Sequence, residues 1–202
     1  MTKGYALITG ACSGIGLEIA RELAGQGHPL LLVSNREAEL MAAAEELAAT
    51  HGVDAHAIPM DLARPDSARV LYDEVADLGA EVEILVSNAG IFFFGEVIDA
   101  DPARAETMML LHVVTPSLLA HHFGHDMAAR GSGHIVFVSS ISAWRDFPGI
   151  AYYGSSKRFL RSFASALREE LRERGVSVTC VAPGAVATNL YEGTRIPVQV
   201  AV

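Results

Sequence analysis

Short apolar runs alternate along the chain with longer stretches in which apolar positions recur every three or four residues. The short runs at 5–9, 29–34, 55–60, 84–87, 134–139 and 176–181 are continuously apolar or β-branched and read as strands. Between the first two, Ile15, Ile19, Ala20 and Leu23 mark one helical face. An Ala/Glu/Leu-rich helix follows over about 36–50, and another over 65–78. Asp101 and Pro102 form an N-cap and first-position pair that opens a long fourth helix running to about residue 130. A fifth helix is expected over 151–174. Continuous apolar strands separated by helices imply a parallel sheet covered on both faces, a three-layer α/β/α doubly wound fold. The alternation runs unbroken, so residues 1–202 are expected to form one domain.

Composition narrows the partners. Half of the 202 residues are hydrophobic and 19% are charged, enough for a sizeable core. A formal net charge of -9 argues against nucleic acid or an anionic membrane surface. No apolar run approaches the roughly 20 residues of a membrane span, and the chain enters its first strand almost at once. Cys12 and Cys180 are too few for a disulfide framework and read as reduced thiols. Together these features point to the cytoplasm.

Chemistry gathers in residues 135–157, IVFVSSISAWRDFPGIAYYGSSK. On the helix that begins there, Tyr153 and Lys157 lie four apart, so phenol and ammonium share a face. A nearby cation favours phenolate, which lets a phenol exchange a proton with an alcohol or ketone oxygen. Ser140, at the end of the preceding strand, is placed to steady that oxygen. The first strand-to-helix turn is TGACSGIG, with glycines at 10, 14 and 16, which permits a tight turn and a close approach to a pyrophosphate. Its spacing, G-x-x-x-G-x-G, differs from the commoner G-x-G-x-x-G.

A serine thirteen residues before Tyr-x-x-x-Lys, together with this glycine turn, resembles the short-chain dehydrogenase/reductase family. Three further motifs fall in that family's order: Asp61-Leu62, Asn88-Ala89-Gly90 and Pro183-Gly184-x-Val186-x-Thr188. The resemblance implies a Rossmann-type domain that transfers hydride between a nicotinamide cofactor and a carbonyl or secondary alcohol. Ser140, Tyr153 and Lys157 would be catalytic, with Lys157 also holding the nicotinamide ribose. Gly10, Ser13, Gly14, Ile15 and Gly16 would cradle the pyrophosphate, Asp61 and Leu62 would meet the adenine, and Asn88, Ala89 and Gly90 would brace the sheet beside the cofactor. Pro183, Gly184, Val186 and Thr188 would hold the carboxamide. At the end of the second strand an NAD site wants an acidic residue. Here Ser34 is followed by Asn35 and Arg36, so NADP(H) is favoured over NAD(H).

Two departures matter. Relatives carry an Asn in the middle of the fourth helix, which bulges the backbone and holds a relay water; His112 stands in that place. They also continue for several dozen residues beyond Thr188, adding a substrate lid and a seventh strand, so six strands and a shortened lid are expected. These departures leave open an alternative: a nucleotide-binding protein with little or no catalysis and a sensing or interaction role. Ile91, Phe92, Phe93, Phe94, Trp144, Phe147 and Tyr191 are candidates for an apolar substrate wall. His121, His122 and His125 lack the Glu of H-E-x-x-H and read as a polar helix face, so no metal is expected. Met108, Met109, Leu111, Leu118, Leu119 and Phe123 on the fourth helix, with Phe159, Leu160, Phe163, Leu167 and Leu171 on the fifth, are more apolar surface than one sheet face needs. In the family these helices pair about a two-fold axis, implying a homodimer.

Overall fold

The computed structural model describes residues 3–184 and Leu190. Among the described residues, six parallel strands form one sheet in the order β3-β2-β1-β4-β5-β6. They are β1 (Tyr5–Thr9), β2 (Leu30–Ser34), β3 (Ala55–Pro59), β4 (Val82–Ser87), β5 (Gly133–Val138) and β6 (Val176–Val181). The order reverses between β1 and β4, which opens a crevice at their carboxyl ends. This is the Rossmann-type α/β fold that the alternation predicts.

Period-two alternation assigns the strand residues to two cores. Leu7, Leu31, Val33, Leu85, Ile135, Phe137 and Val178 face α3 (Ser67–Asp77), α5 (Thr115–Arg130) and α6 (Ala151–Leu171). Ala6, Ile8, Leu30, Leu32, Val86 and Val138 face the other layer, α1 (Gly14–Gly25) and α2 (Glu37–His51). At β6 the cover is one-sided among the described residues, with Val176 and Val178 buried while Ser177, Thr179 and Val181 are exposed.

Of the departures from the sequence pattern, three have a plain physical cause. Pro29 has no N–H to give a ladder, so β2 begins at Leu30, while the Pro29 carbonyl still accepts from Ala6 N–H at 2.8 Å. β4 begins two residues earlier than expected: Glu83 breaks the apolar run, but its carboxylate accepts from Gly4 N–H at 2.8 Å. The long fourth helix is divided into α4 (Pro102–Met109), a π-helical segment (Leu110–Val114) and α5. Asp101 caps α4 by accepting from Ala103 N–H, and the widened turn closes with Thr115 N–H on the Leu110 carbonyl.

Most of the apolar surplus on these helices packs internally. Met108, Leu119, Phe123 and Leu160 are buried, leaving Met109, Val114, Leu118 and Phe159 between 37% and 39% exposed.

Candidate active site

The β1–α1 turn closes only because its glycines leave room. Gly10 has φ +67°, and a Cβ on Gly16 would collide with the Gly10 carbonyl oxygen and the Asn88 amide. Gly16 therefore lies beneath the crevice, packing α1 against β4. Asn88 donates to the Thr9 carbonyl at 3.0 Å, and Thr9 Oγ1 accepts from Asn88 N–H and Ala89 N–H at 2.9 and 3.0 Å. The carboxyl ends of β1 and β4 are thus tied at the switch point.

Above this tie lies a cleft of about 540 Å³, within the range of ligand pockets. Gly10, Ser13, Gly14 and Ile15 form one wall, with Asn35 and Arg36 at one end. Asp61, Leu62, Asn88, Ala89, Gly90, Pro183 and Gly184 continue the lining, and Ser140, Tyr153 and Lys157 stand at the other end. Val186, Thr188 and Tyr191 lie outside the described residues. Arg36 reaches across the turn: Nη2 donates to Ser13 Oγ and, at 3.0 Å, to Cys12 Sγ. Cys12 Sγ also meets Ser34 Oγ at 3.1 Å, so the thiol sits between Ser34 and the guanidinium. The first N–H groups of α1 have no partner within their own helix. These donors and the guanidinium fit a phosphate-bearing dinucleotide despite the acidic whole chain.

Lys157 is 5% exposed, and its Nζ donates to the Val138 carbonyl at 3.0 Å while lying 5.7 Å from the Tyr153 ring centroid. Burial pushes the ammonium down to about 8, opposed by the neighbouring Cys180. Burial raises the Cys180 thiol, which keeps it a poor nucleophile. Ser139 Oγ donates to the Lys157 carbonyl at 2.8 Å, fixing α6 to the end of β5. Ser140 caps a short 3₁₀ turn (Ile141–Ala143), and its Oγ accepts from Ser142 N–H at 3.2 Å and Ser142 Oγ at 2.8 Å. With its lone pairs engaged, the Ser140 hydroxyl has its hydrogen to offer. Cys12, Ser34, Ser139 and Ser142 were not among the expected site residues. The S-S-I-S run at 139–142 was the only local signal for the last two.

The expected aromatic wall is mostly core. Phe92 and Phe93 are buried with Met108, Ile150 and Tyr153, and Phe92 meets the Tyr153 ring edge-on at 4.9 Å. Phe94 and Phe147 pack against that cluster, and Trp144 is half exposed beneath the Arg161 guanidinium. Ile91, Thr107, Leu111 and Leu190 line the cleft at this end. On α5, His122 stacks on Tyr72 and His125 lies 3.4 Å from Asp126. No three His, Cys, Asp or Glu side chains are grouped to hold a metal among the described residues.

The sequence model of the short chain dehydrogenase family matches residues 4–197, and the chain belongs to that family of oxidoreductases. It is 37% identical over 186 residues to the uncharacterized oxidoreductase YmfI of Bacillus subtilis (strain 168), covering 92% of this chain and 76% of that one. The fold matches a short-chain dehydrogenase from Sphingobium yanoikuyae in complex with NADPH at a TM-score of 0.91 and 29% identity, over 98% of this chain and 77% of the other. It also matches the bulky-bulky ketone specific alcohol dehydrogenase from Comamonas testosteroni at a TM-score of 0.86 and 28% identity, over 92% and 74% of the two chains. For eight of the curated relatives, the share of their length spanned by this chain runs from 57% to 76%. No helix among the described residues is long and apolar enough to cross a membrane.

Proposed function

We propose that the protein interconverts a carbonyl compound and its secondary alcohol with a nicotinamide cofactor, by a Ser-Tyr-Lys mechanism. The observation that carries the reading is the convergence of Ser140, Tyr153 and Lys157 at one end of a cleft whose other end holds Arg36 and the glycine turn. When bound, the cofactor supplies or accepts the hydride. Tyr153 passes the proton to the substrate oxygen. Lys157 favours the phenolate with its charge and would hold the nicotinamide ribose. Ser140, held as a donor by Ser142, aligns the same oxygen.

NADP(H) is the favoured cofactor. Arg36 extends over Ser13, bringing cationic charge to the place where a 2′-phosphate would stand beside Asn35. The NADPH complex of the similar Sphingobium protein is in keeping with this. The apolar residues at the catalytic end favour a hydrophobic carbonyl substrate. Exposed Met109, Val114, Leu118 and Phe159 support a homodimer through α4–α5 and α6. Two free thiols, Cys12 and Cys180, suit a single cytoplasmic domain.

A panel of ketones, aldehydes and secondary alcohols, followed by the absorbance of reduced nicotinamide, tests the function. Turnover that falls at least about a hundredfold in Tyr153→Phe supports the assignment. Near-full turnover in that variant removes Tyr153 from its role. Cofactor binding with no turnover across the panel favours the reading as a non-catalytic nucleotide-binding protein.

A further inference from the structure

We propose that His112 is a positioning residue, a fixed hydrogen-bond bridge from the Gly90–Ile91 turn to the first turns of α6 that holds Tyr153 and takes no part in relaying protons. The π-helical segment places its side chain under the turn that follows β4, where it is 1% exposed. Ile91 N–H donates to Nε2 at 3.1 Å, and Nδ1 meets Ser156 Oγ at 2.9 Å. Ser156 Oγ in turn donates to the Tyr153 carbonyl at 2.8 Å.

These contacts dictate one arrangement of hydrogens. Ile91 N–H occupies the Nε2 lone pair, so the neutral ring carries its hydrogen on Nδ1 and gives it to Ser156. Ser156 has already committed its own hydrogen to a backbone carbonyl. A proton arriving at Nε2 would face the Ile91 N–H, and one leaving Nδ1 would enter a chain that ends at the Tyr153 carbonyl. The ring borders the cleft, yet neither of these hydrogen-bonded routes runs to the Tyr153 hydroxyl. Of the titratable groups around the ring, Lys157 and Tyr153 face it from α6, and the β4 turn presents backbone. Burial, and then the Lys157 charge, keep the imidazole neutral well below its ordinary range, in agreement with the bonding.

The bridge also explains the shape of its surroundings. A Cβ on Gly90 would lie 2.5 Å from Nε2, so the turn descends onto the ring only with glycine there. The His112 and Tyr153 rings meet edge-to-face at 5.7 Å, and Phe92 presses on the tyrosine ring as well. Tyr153 is thereby held through both its carbonyl and its ring. This positioning role rests on Tyr153 being the acid/base; the bonding of His112 does not.

Two measurements test it. Long-range ¹⁵N correlation spectra of histidine-labelled protein should show His112 as the Nδ1–H tautomer, unchanged from about pH 5.5 to 9. An Nε2–H tautomer, or a titration inside that window, overturns the proposal. In steady-state kinetics, Ser156→Ala should lower kcat about tenfold and His112→Ala up to about a hundredfold, with the cofactor KM within about twofold. The double variant should be no slower than His112→Ala, because both break the same bridge. Restoration of His112→Ala by added imidazole marks a proton carrier and defeats the assignment, as does unchanged kcat in Ser156→Ala. If His112→Ala fails to fold, Ser156→Ala and the spectra still decide. If no carbonyl substrate is turned over, the kinetic arm fails with the proposed function while the spectra judge the bridge alone.

Discussion

The Nζ of Lys157 lies 5.7 Å from the ring centroid of Tyr153, buried, and donates to the Val138 carbonyl. A charge kept there costs stability, and the same burial concentrates its field on the phenol instead of on water.

That cost has a pH signature. The folded protein holds Lys157 near 8 against an ordinary 10.5, so between those values the unfolded chain binds more protons. Stability therefore rises with pH through this window, and the penalty is present in full below it. Lys157→Met should stabilise the protein at pH 7 by about 1–3 kcal/mol and flatten the slope from 8 to 10.5, while abolishing turnover. Urea unfolding across that range measures it; an unchanged slope in the variant assigns the titration elsewhere.

Ser142 makes Ser140 a donor. Ser142→Ala removes the 2.8 Å hydroxyl bond and leaves the backbone bond at 3.2 Å, so Ser140 regains an acceptor site and some rotation. We expect kcat to fall about three- to tenfold, against about a hundredfold in Ser140→Ala, with the cofactor KM unchanged. A Ser142→Ala enzyme as fast as the parent would show that the pairing is packing only.

If the proposed NADP(H) preference holds, Arg36 is the residue that sets it. Its guanidinium already leans on Ser13 and Cys12, with Glu39 3.8 Å away. Arg36→Ala should raise the KM for NADPH at least about tenfold and leave that for NADH within about twofold. Equal effects on both cofactors contradict the assignment.

The proposed homodimer would pair through the exposed apolar side chains on α4–α5 and α6. Light scattering should give twice the chain mass of 21.5 kDa, and Leu118→Glu should halve it. A stable mass of one chain or four in the parent protein is incompatible with this interface.

The sequence by itself determined the elements and their order. Continuous apolar runs at β1, β2 and β5 have to be buried on both sides, and Asp101-Pro102 starts a helix through contacts two residues long. The Tyr153–Lys157 pair was equally legible, because a helix puts residues four apart on one face wherever it packs. What depends on partners distant in the chain was not. Glu83 belongs in β4 because Gly4, 79 residues away, supplies a donor for its carboxylate. Phe92 reads as a pocket wall until Met108 and Ile150 close over it. Arg36 finds Ser13 only when β1 and β2 lie side by side. His112 meets Ile91 and Ser156 across 21 and 44 residues, through a widened helical turn that periodicity hides. Burial patterns follow from each residue's own affinity for water, so a local stretch can announce them. The pairing of buried donors with acceptors is directional, and only the packed tertiary structure decides which groups come within reach.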